Sequence, residues 1–209
     1  MGTKNIFDLY YDEYDRWYEK NEFAYLSELE ALKKVLPKKG RGLEIGAGTA
    51  RFTKPLNIWV GIDLSKNMAK IAKERGVRII VSRAEELPFK DSIFDYVAII
   101  FTLCFVDEPL KMLREAKRVL KRRGKIIIGI IDKESFLGKA YQIKKSIFYS
   151  RAKFFSVKEV TDILQTMGFD RFSYYQTIFN FPQEIKNIQK PQKGFGKGAF
   201  VAISAELII

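Results

Sequence analysis

The 209 residues contain no histidine and a single cysteine, Cys104. Without histidine there is no Ser-His-Asp or Cys-His engine and no imidazole-ligated metal. One thiol can form neither an internal disulfide nor a thiolate cluster, so no metal site is expected. Long apolar runs are missing too. The stretch Tyr96–Val106, broken by Thr102, falls short of the ~18 residues a membrane span needs. The opening MGTKNIFDLYYDEYDRW has no apolar segment of the secretory type. A soluble, cytoplasmic protein is the expectation. Chemistry must then come from carboxylates, tyrosines, lysines, backbone groups or a bound cofactor.

What is present is a foldable composition: 47% hydrophobic and 14% aromatic residues, enough for a sizeable core. Lysine and arginine number 37 against 25 aspartate and glutamate, a net charge of +12. Abundant Lys, Glu, Ile and Phe beside scarce His and Cys fit a heat-loving source. The basic excess is spread over the last two thirds, and Lys121-Arg122-Arg123 is its only three-residue run. Spread of this kind fits a solvated surface; charge alone defines no site.

Apolar spacing predicts helix over residues 4–36, ended by Pro37-Lys38-Lys39-Gly40. Short strands follow at Gly42–Ile45, Ile58–Ile62 and Val77–Val81, with a helix after Ser65 as N-cap. Asp95–Phe101 is apolar nearly throughout, which marks a central parallel strand. A helix from Glu108 to Leu120 takes Gly124 as its C-terminal glycine, and Lys125–Ile131 is a fifth strand. Ser156 caps a helix to Met167, and Phe172–Phe179 and Gly198–Ala205 read as two closing strands. Alternation of strand and helix means an α/β fold, a doubly wound Rossmann-like domain with a mostly parallel sheet. One domain spans residues 1–209: a helical cover (1–36), a cofactor half (37–131), a substrate-side segment (132–155) and a C-terminal helix with two edge strands (156–209).

The first strand ends in Glu44-Ile45-Gly46-Ala47-Gly48-Thr49-Ala50-Arg51. Two glycines permit a tight turn and close ligand approach, and a following helix N-terminus would favour an anionic group. Arg51 occupies the place where a dinucleotide fingerprint needs glycine, so this is not that fingerprint. Asp63, at the end of the second strand, would lie beside the turn. Its two oxygens can accept both hydroxyls of a ribose; a helix-start acid favoured by the dipole is the plainer alternative.

These segments resemble the class I S-adenosylmethionine-dependent methyltransferases. Glu44–Thr49 is similar to their first motif and Gly61-Ile62-Asp63-Leu64-Ser65 to their second. Ala84-Glu85-Glu86-Leu87-Pro88-Phe89, Phe94-Asp95-Tyr96-Val97 and the block Arg114–Lys121 with Gly124 resemble three more, in order and at the expected spacing. The likeness runs from about residue 10 to residue 205, and its nearest branch is small-molecule, quinone-biosynthesis-like enzymes. Ala50, Arg122 and Arg123 depart from the family pattern.

The resemblance implies a seven-stranded sheet of order 3-2-1-4-5-7-6 with an antiparallel final hairpin. It implies S-adenosyl-L-methionine as cofactor, S-adenosyl-L-homocysteine as product, and methyl transfer to a small-molecule N, O or C nucleophile. Glu44 would meet the ligand's ammonium or brace the turn; Gly46 and Gly48 would admit its methionyl part and ribose; Asp63 would bind the ribose. Leu64 and Met68 would flank adenine, and Ala84 and Glu85 would hydrogen-bond its edge. For Met68 plain core packing stays open, and for Glu85 an exposed turn. Thr102, Leu103 and Phe105 would lie under the sulfonium. Tyr14, from the cluster Tyr10, Tyr11, Tyr14 and Trp17, would cover the cofactor unless these rings only pack. Cys104 is preceded by Leu103 rather than proline, which argues for a structural thiol.

No catalytic base stands out; Tyr14, Tyr141, Asp132 and Glu134 are the candidates. Residues 132–155 interleave aromatics with lysines and arginines, which suits an aromatic or anionic small substrate. The same pattern suits RNA, so an RNA methyltransferase is the alternative. A cofactor-binding module without turnover is the other. Oligomeric state and methyl acceptor are not legible.

Overall fold

The computed structural model describes residues 3–208. Three helices open the chain: α1 (Thr3–Leu9), α2 (Tyr11–Lys20) and α3 (Glu22–Val35). The expected single helix is thus broken twice. At the second break Asn21 turns back, and both its backbone N–H and its side-chain amide donate to the Trp17 carbonyl. The break separates two jobs. α3 packs on the sheet through Leu29, Leu32 and Val35, while α1 and α2 pass over the ends of strands.

Then follow β1 (Gly42–Ile45), β2 (Val60–Asp63), α4 (Lys66–Glu74), β3 (Ile79–Val81), β4 (Phe94–Ile100), α5 (Pro109–Val119) and β5 (Leu120–Ile131). After these come α6 (Phe136–Ile143), α7 (Val157–Thr166), β6 (Phe169–Thr177), β7 (Gln192–Lys193) and β8 (Phe200–Leu207). All strands belong to one sheet of order β3-β2-β1-β4-β5-β8-β6-β7. β1 through β5 pair in parallel, and β8 runs antiparallel between β5 and β6. The expected order holds, with one strand more: the two-residue β7 adds an edge by pairing Gln192 and Lys193 with Gln176 and Tyr175.

β4 shows why its sequence reads apolar throughout. Val97 and Ile99 enter the core beneath α5 and α7, and Tyr96, Ala98 and Ile100 enter the core on the α3 face. Both faces are covered, so alternation vanishes. α4 begins as expected, with Met68 N–H donating to Ser65 Oγ. Ser156 and Glu159 close a full capping box on α7.

Two local expectations fail. No α-helix follows the glycine turn; residues 49–57 form successive turns. And Gly124 does not end α5. The helix stops at Val119 and β5 begins at once, with Arg123 in the left-handed region (φ 62°). Gly124 is needed there for room, since a Cβ would stand 2.8 Å from the Lys121 carbonyl oxygen.

Candidate functional site

At the carboxyl ends of β1, β2 and β4 the chain leaves the sheet in opposite directions, and a cleft opens there, as in other open α/β sheets. It holds about 160 Å³. Gly46, Gly48, Asp63, Leu64 and Met68 line one side; Ala84, Glu85, Thr102 and Phe105 line the other, with Tyr14 and Phe7 above. Ten of the expected cofactor residues are therefore brought together.

The glycine turn takes positive φ at Gly46 (73°), Gly48 (55°) and also Ala50 (66°). Gly46 is forced by contact as well: a Cβ would lie 2.2 Å from Thr102 Oγ1. That hydroxyl bonds the Gly46 and Ile100 carbonyls, tying β4's end to the turn. Phe101 beside it has φ 59°. Left-handed backbone at a bulky residue stores strain and gathers at functional sites.

Asp63 is not idle. Oδ2 accepts from Gly48 N–H and Oδ1 from Ser65 N–H, both at 2.8 Å. One carboxylate thus fixes the turn and the start of α4, with lone pairs to spare for ligand hydroxyls. Burial raises its pKa, against the lowering effect of these amide bonds.

Glu44 lies behind the turn. It is 1% exposed, takes the Thr53 hydroxyl on Oε2 and lines neither this cleft nor the cavity beside it. Of its two expected roles the geometry matches bracing. Burial, with the Asp63 charge adding, pushes it up to about 8. Leu103 is 1% exposed, packs in the α5 core and lines neither this cleft nor the cavity beside it. Glu85 is no exposed acid; it is 5% exposed and pairs with Arg83 at 3.5 Å. Met68 is both buried and part of the cleft wall.

Arg51, the residue that breaks the dinucleotide pattern, has a structural task. Asp15 of α2 receives Thr49 Oγ1, Arg51 Nε (2.9 Å) and Arg75 Nη2 (2.6 Å). Burial pushes Asp15 upward, but the bonds from Arg75, Arg51 and Thr49 win and hold it well below the carboxylate range. This knot clamps α2 onto the turn. α1 is clamped too, as Asp8 Oδ1 accepts from Ser65 Oγ at 2.6 Å.

A second cavity of about 280 Å³ adjoins the first. Phe7, Tyr14, Phe101 and Phe105 border both. Its wall is aromatic: Trp17 and Tyr18 from α2, Tyr141 from α6, Tyr149, Phe154 and Phe155 from the segment beyond. Tyr141 and Tyr149 stack at 4.4 Å, and Phe7 meets Phe105 edge-on at 4.9 Å. Lys139, Lys145, Arg151 and Lys153 are exposed. The rings line the cavity, and two cations of the same segment stay with them: Lys144 borders the cavity and lies over Tyr141 at 5.9 Å, and Lys153 lies over Phe155 at 5.7 Å.

The candidate bases fare poorly. Burial raises the Tyr14 phenol far above its usual value and Tyr141 to about 12. Asp132 is buried, accepts from Glu134 N–H and lines neither cavity; Glu134 is exposed. Both sit in the turn after β5, and that turn folds back on itself. Cys104 lines the second cavity, yet burial pushes its thiol up to about 12, so it stays protonated. Among the described residues no group of three or more His, Cys, Asp or Glu could hold a metal ion. No helix among them is long and apolar enough to cross a membrane.

Sequence reasoning missed Phe7, Asp15, Ser82 and Glu28. The last had a signal: it interrupts the buried face of α3 between Ala24 and Leu32.

A sheet of this order, with a glycine turn and an acid at adjacent strand ends, defines a class I methyltransferase architecture. The comparisons with known proteins agree. Residues 43–128 match the family model described as a methyltransferase domain. A SAM-dependent methyltransferase of Thermotoga maritima, described as a possible histamine N-methyltransferase, is 46% identical. The match covers 98% of this chain and 99% of that one, with a TM-score of 0.95. An uncharacterized protein of Methanocaldococcus jannaschii is 55% identical over 98% of this chain and all of its own length. A demethylmenaquinone methyltransferase of a Geobacillus species is 32% identical over 64% of each chain. The chain belongs to the S-adenosylmethionine-dependent methyltransferases; it is an enzyme of methyl transfer.

Proposed function

We propose that the first cleft binds S-adenosylmethionine and that the adjoining cavity holds a small-molecule acceptor. The observation that carries this reading is the shared border. Phe7, Tyr14, Phe101 and Phe105 belong to both spaces, so a methyl group at the border is exposed to whatever fills the second.

The residues present fit the cofactor. Asp63 keeps lone pairs facing the cleft after satisfying two amides. Gly48 leaves it open, since nothing lies closer than 3.5 Å to where a Cβ would be. Leu64 and Met68 offer apolar contact for adenine, and Ala84 and Glu85 offer polar groups for its edge. When bound, S-adenosylmethionine supplies an already activated methyl group on a positively charged sulfur.

What the chain must add is position. Holding two reactants in line can supply ~7–11 kcal/mol of a barrier. The clamped α1 and α2 and the ring border exclude water and fix that line. No strong base is needed for a neutral amine, an enolate or a phenolate. The rings line a cavity of about 280 Å³, which suits a small acceptor better than a stacked strand.

Calorimetry with S-adenosylmethionine and S-adenosylhomocysteine tests the cofactor site; no binding of either defeats the proposal. Product formation on a panel of amines, phenols and quinols then separates an enzyme on small molecules from a binding module. RNA affinity that drops steeply with salt would restore the alternative.

A further inference from the structure

Glu28 is 2% exposed, lines the second cavity, and its Oε2 is buried without a hydrogen-bond partner. Such an oxygen normally costs free energy comparable to a lost hydrogen bond or more. Buried polar groups are nearly always paired, so an orphan aimed into a cavity calls for a partner that enters it. No side chain nearby takes that role. Tyr14 and Tyr18 bond each other at 2.7 Å. The other titratable groups on this cavity are Glu13 and Lys20 of α2, Tyr141 of α6, Lys144 just beyond it, Tyr149, and Cys104 after β4. Glu13, Lys20 and Lys144 are exposed, and neither lysine pairs with Glu28. Glu28 is the buried acid of an otherwise aromatic chamber.

Two features select the ligand. A lone carboxyl wants an N–H or O–H donor, and best a cationic one. The rings of Trp17, Tyr18, Tyr141 and Phe155 add apolar surface for the body of such a ligand. An anionic guest would meet Glu28 with nothing buried to offset it.

We propose that Glu28 is the specificity-determining residue of the acceptor cavity and that its ligand is an organic amine with a compact apolar body. The proposal rests on reading that cavity as the acceptor site. Burial raises the Glu28 carboxyl well above its ordinary value in the empty protein. Where that carboxyl carries its proton, an ammonium ligand displaces it to solvent on binding and leaves a carboxylate–ammonium pair, one proton released per ligand.

Calorimetry on the full chain tests this, with and without saturating S-adenosylhomocysteine. The probes are n-butylamine, benzylamine and 2-phenylethylamine, each against the alcohol of the same skeleton. Titrations in phosphate and Tris count protons. At least one amine is expected to bind the parent ten times or more tighter than its alcohol, with a proton released. Glu28→Gln and Glu28→Leu should erase that preference and the proton, and leave S-adenosylhomocysteine affinity within about twofold. Glu28→Leu should also raise Tm, since it removes an unpartnered carboxyl; a merely structural glutamate would lower it. If every amine binds no better than its alcohol, or if the preference survives in Glu28→Gln, the assignment of Glu28 falls. Amine preference without S-adenosylhomocysteine binding would sink the cofactor reading and leave Glu28 standing.

Discussion

Each of the two cavities holds an acid, half-buried Asp63 in one and buried Glu28 in the other, and the two are treated in opposite ways. Asp63 in the first cleft is tied by two backbone amides. Glu28 in the second has an oxygen with no partner at all. The first site is built from strand ends and main chain, so its shape is set by the fold. The second is built from side chains of α2, α3, α6 and the segment after it, so its shape is set by the choice of rings. A site that serves one invariant cofactor can be anchored in backbone. A site that must distinguish acceptors is better left to side chains, which can be exchanged without disturbing the sheet.

The wall common to both regions is the place to break this contrast hardest. Asp15→Ala leaves Arg51 and Arg75 without their shared carboxylate and frees α2, which carries Tyr14, Trp17 and Tyr18. Losing one partner of such a partly buried pair costs ~3–5 kcal/mol. A drop of that order in denaturant stability, with both cavities impaired, is expected; retention of full stability would mean the clamp is decorative. The sign in pH is also fixed. Asp15 is depressed below its ordinary value of 3.8, so its contribution is complete above that value and fades as pH falls beneath it. The parent should lose stability in acid more steeply than the variant.

Asp63→Ala sharpens the contrast from the donor side. Charge-assisted bonds of ~1.5–3 kcal/mol each predict a loss of about one to three powers of ten in S-adenosylhomocysteine affinity by calorimetry. Because Gly48 and Ser65 amides lose their acceptor, the variant should also melt lower by an amount equal to ~1–3 kcal/mol. Unchanged affinity would show that the carboxylate serves the turn alone.

A smaller effect separates the acids by titration. Glu44 is raised from 4.5 to about 8 and Glu28 is raised as well. A carboxyl with a raised folded pKa favours the native state below its unfolded value, and that advantage disappears as pH climbs through the folded one. Stability of the ligand-free protein should therefore decline between about pH 5 and 8. Glu44→Gln should flatten part of the slope, and adding Glu28→Gln should flatten it further. A slope untouched by either places its origin elsewhere.

Ala50→Gly is the mildest test. The turn holds Ala50 at φ 66°, where a Cβ costs ~1–2 kcal/mol, and glycine gives part of that back through unfolded-chain entropy. A gain of up to ~1 kcal/mol in thermal unfolding is expected, with cofactor affinity unchanged.

Much of this was legible beforehand where the signal is local. Alternation of apolar runs with amphipathic segments gives the strands and their neighbours. Glycines at 46 and 48 and the acid at 63 mark the cleft, because a parallel sheet brings the ends of adjacent strands together whatever the side chains do. The two-residue β7 was illegible, since Gln192 and Lys193 carry no strand pattern and pair only because β6 offers an edge. Arg123 and Gly124 misled because a basic, glycine-ended run reads as a helix stop, yet β4 pairs with the chain from Leu120 onward and pulls it into a strand.

The sequence by itself determined the class of chemistry. No histidine and one cysteine excluded whole families of mechanism, and five ordered segments placed the chain among methyl-transferring enzymes. Only the tertiary structure decided which residues share a space. Leu103 is buried in the core while its neighbour Phe105 lines the cleft; Asp132 stayed in its own loop; the rings of Tyr141, Tyr149, Phe154 and Phe155 gathered around one cavity. Asp15 lies 34 residues from Thr49, the motif residue it holds. Contacts of that range depend on how α2 and α3 settle on the sheet, and no local periodicity encodes where a buried carboxylate will find its partner, or fail to find one.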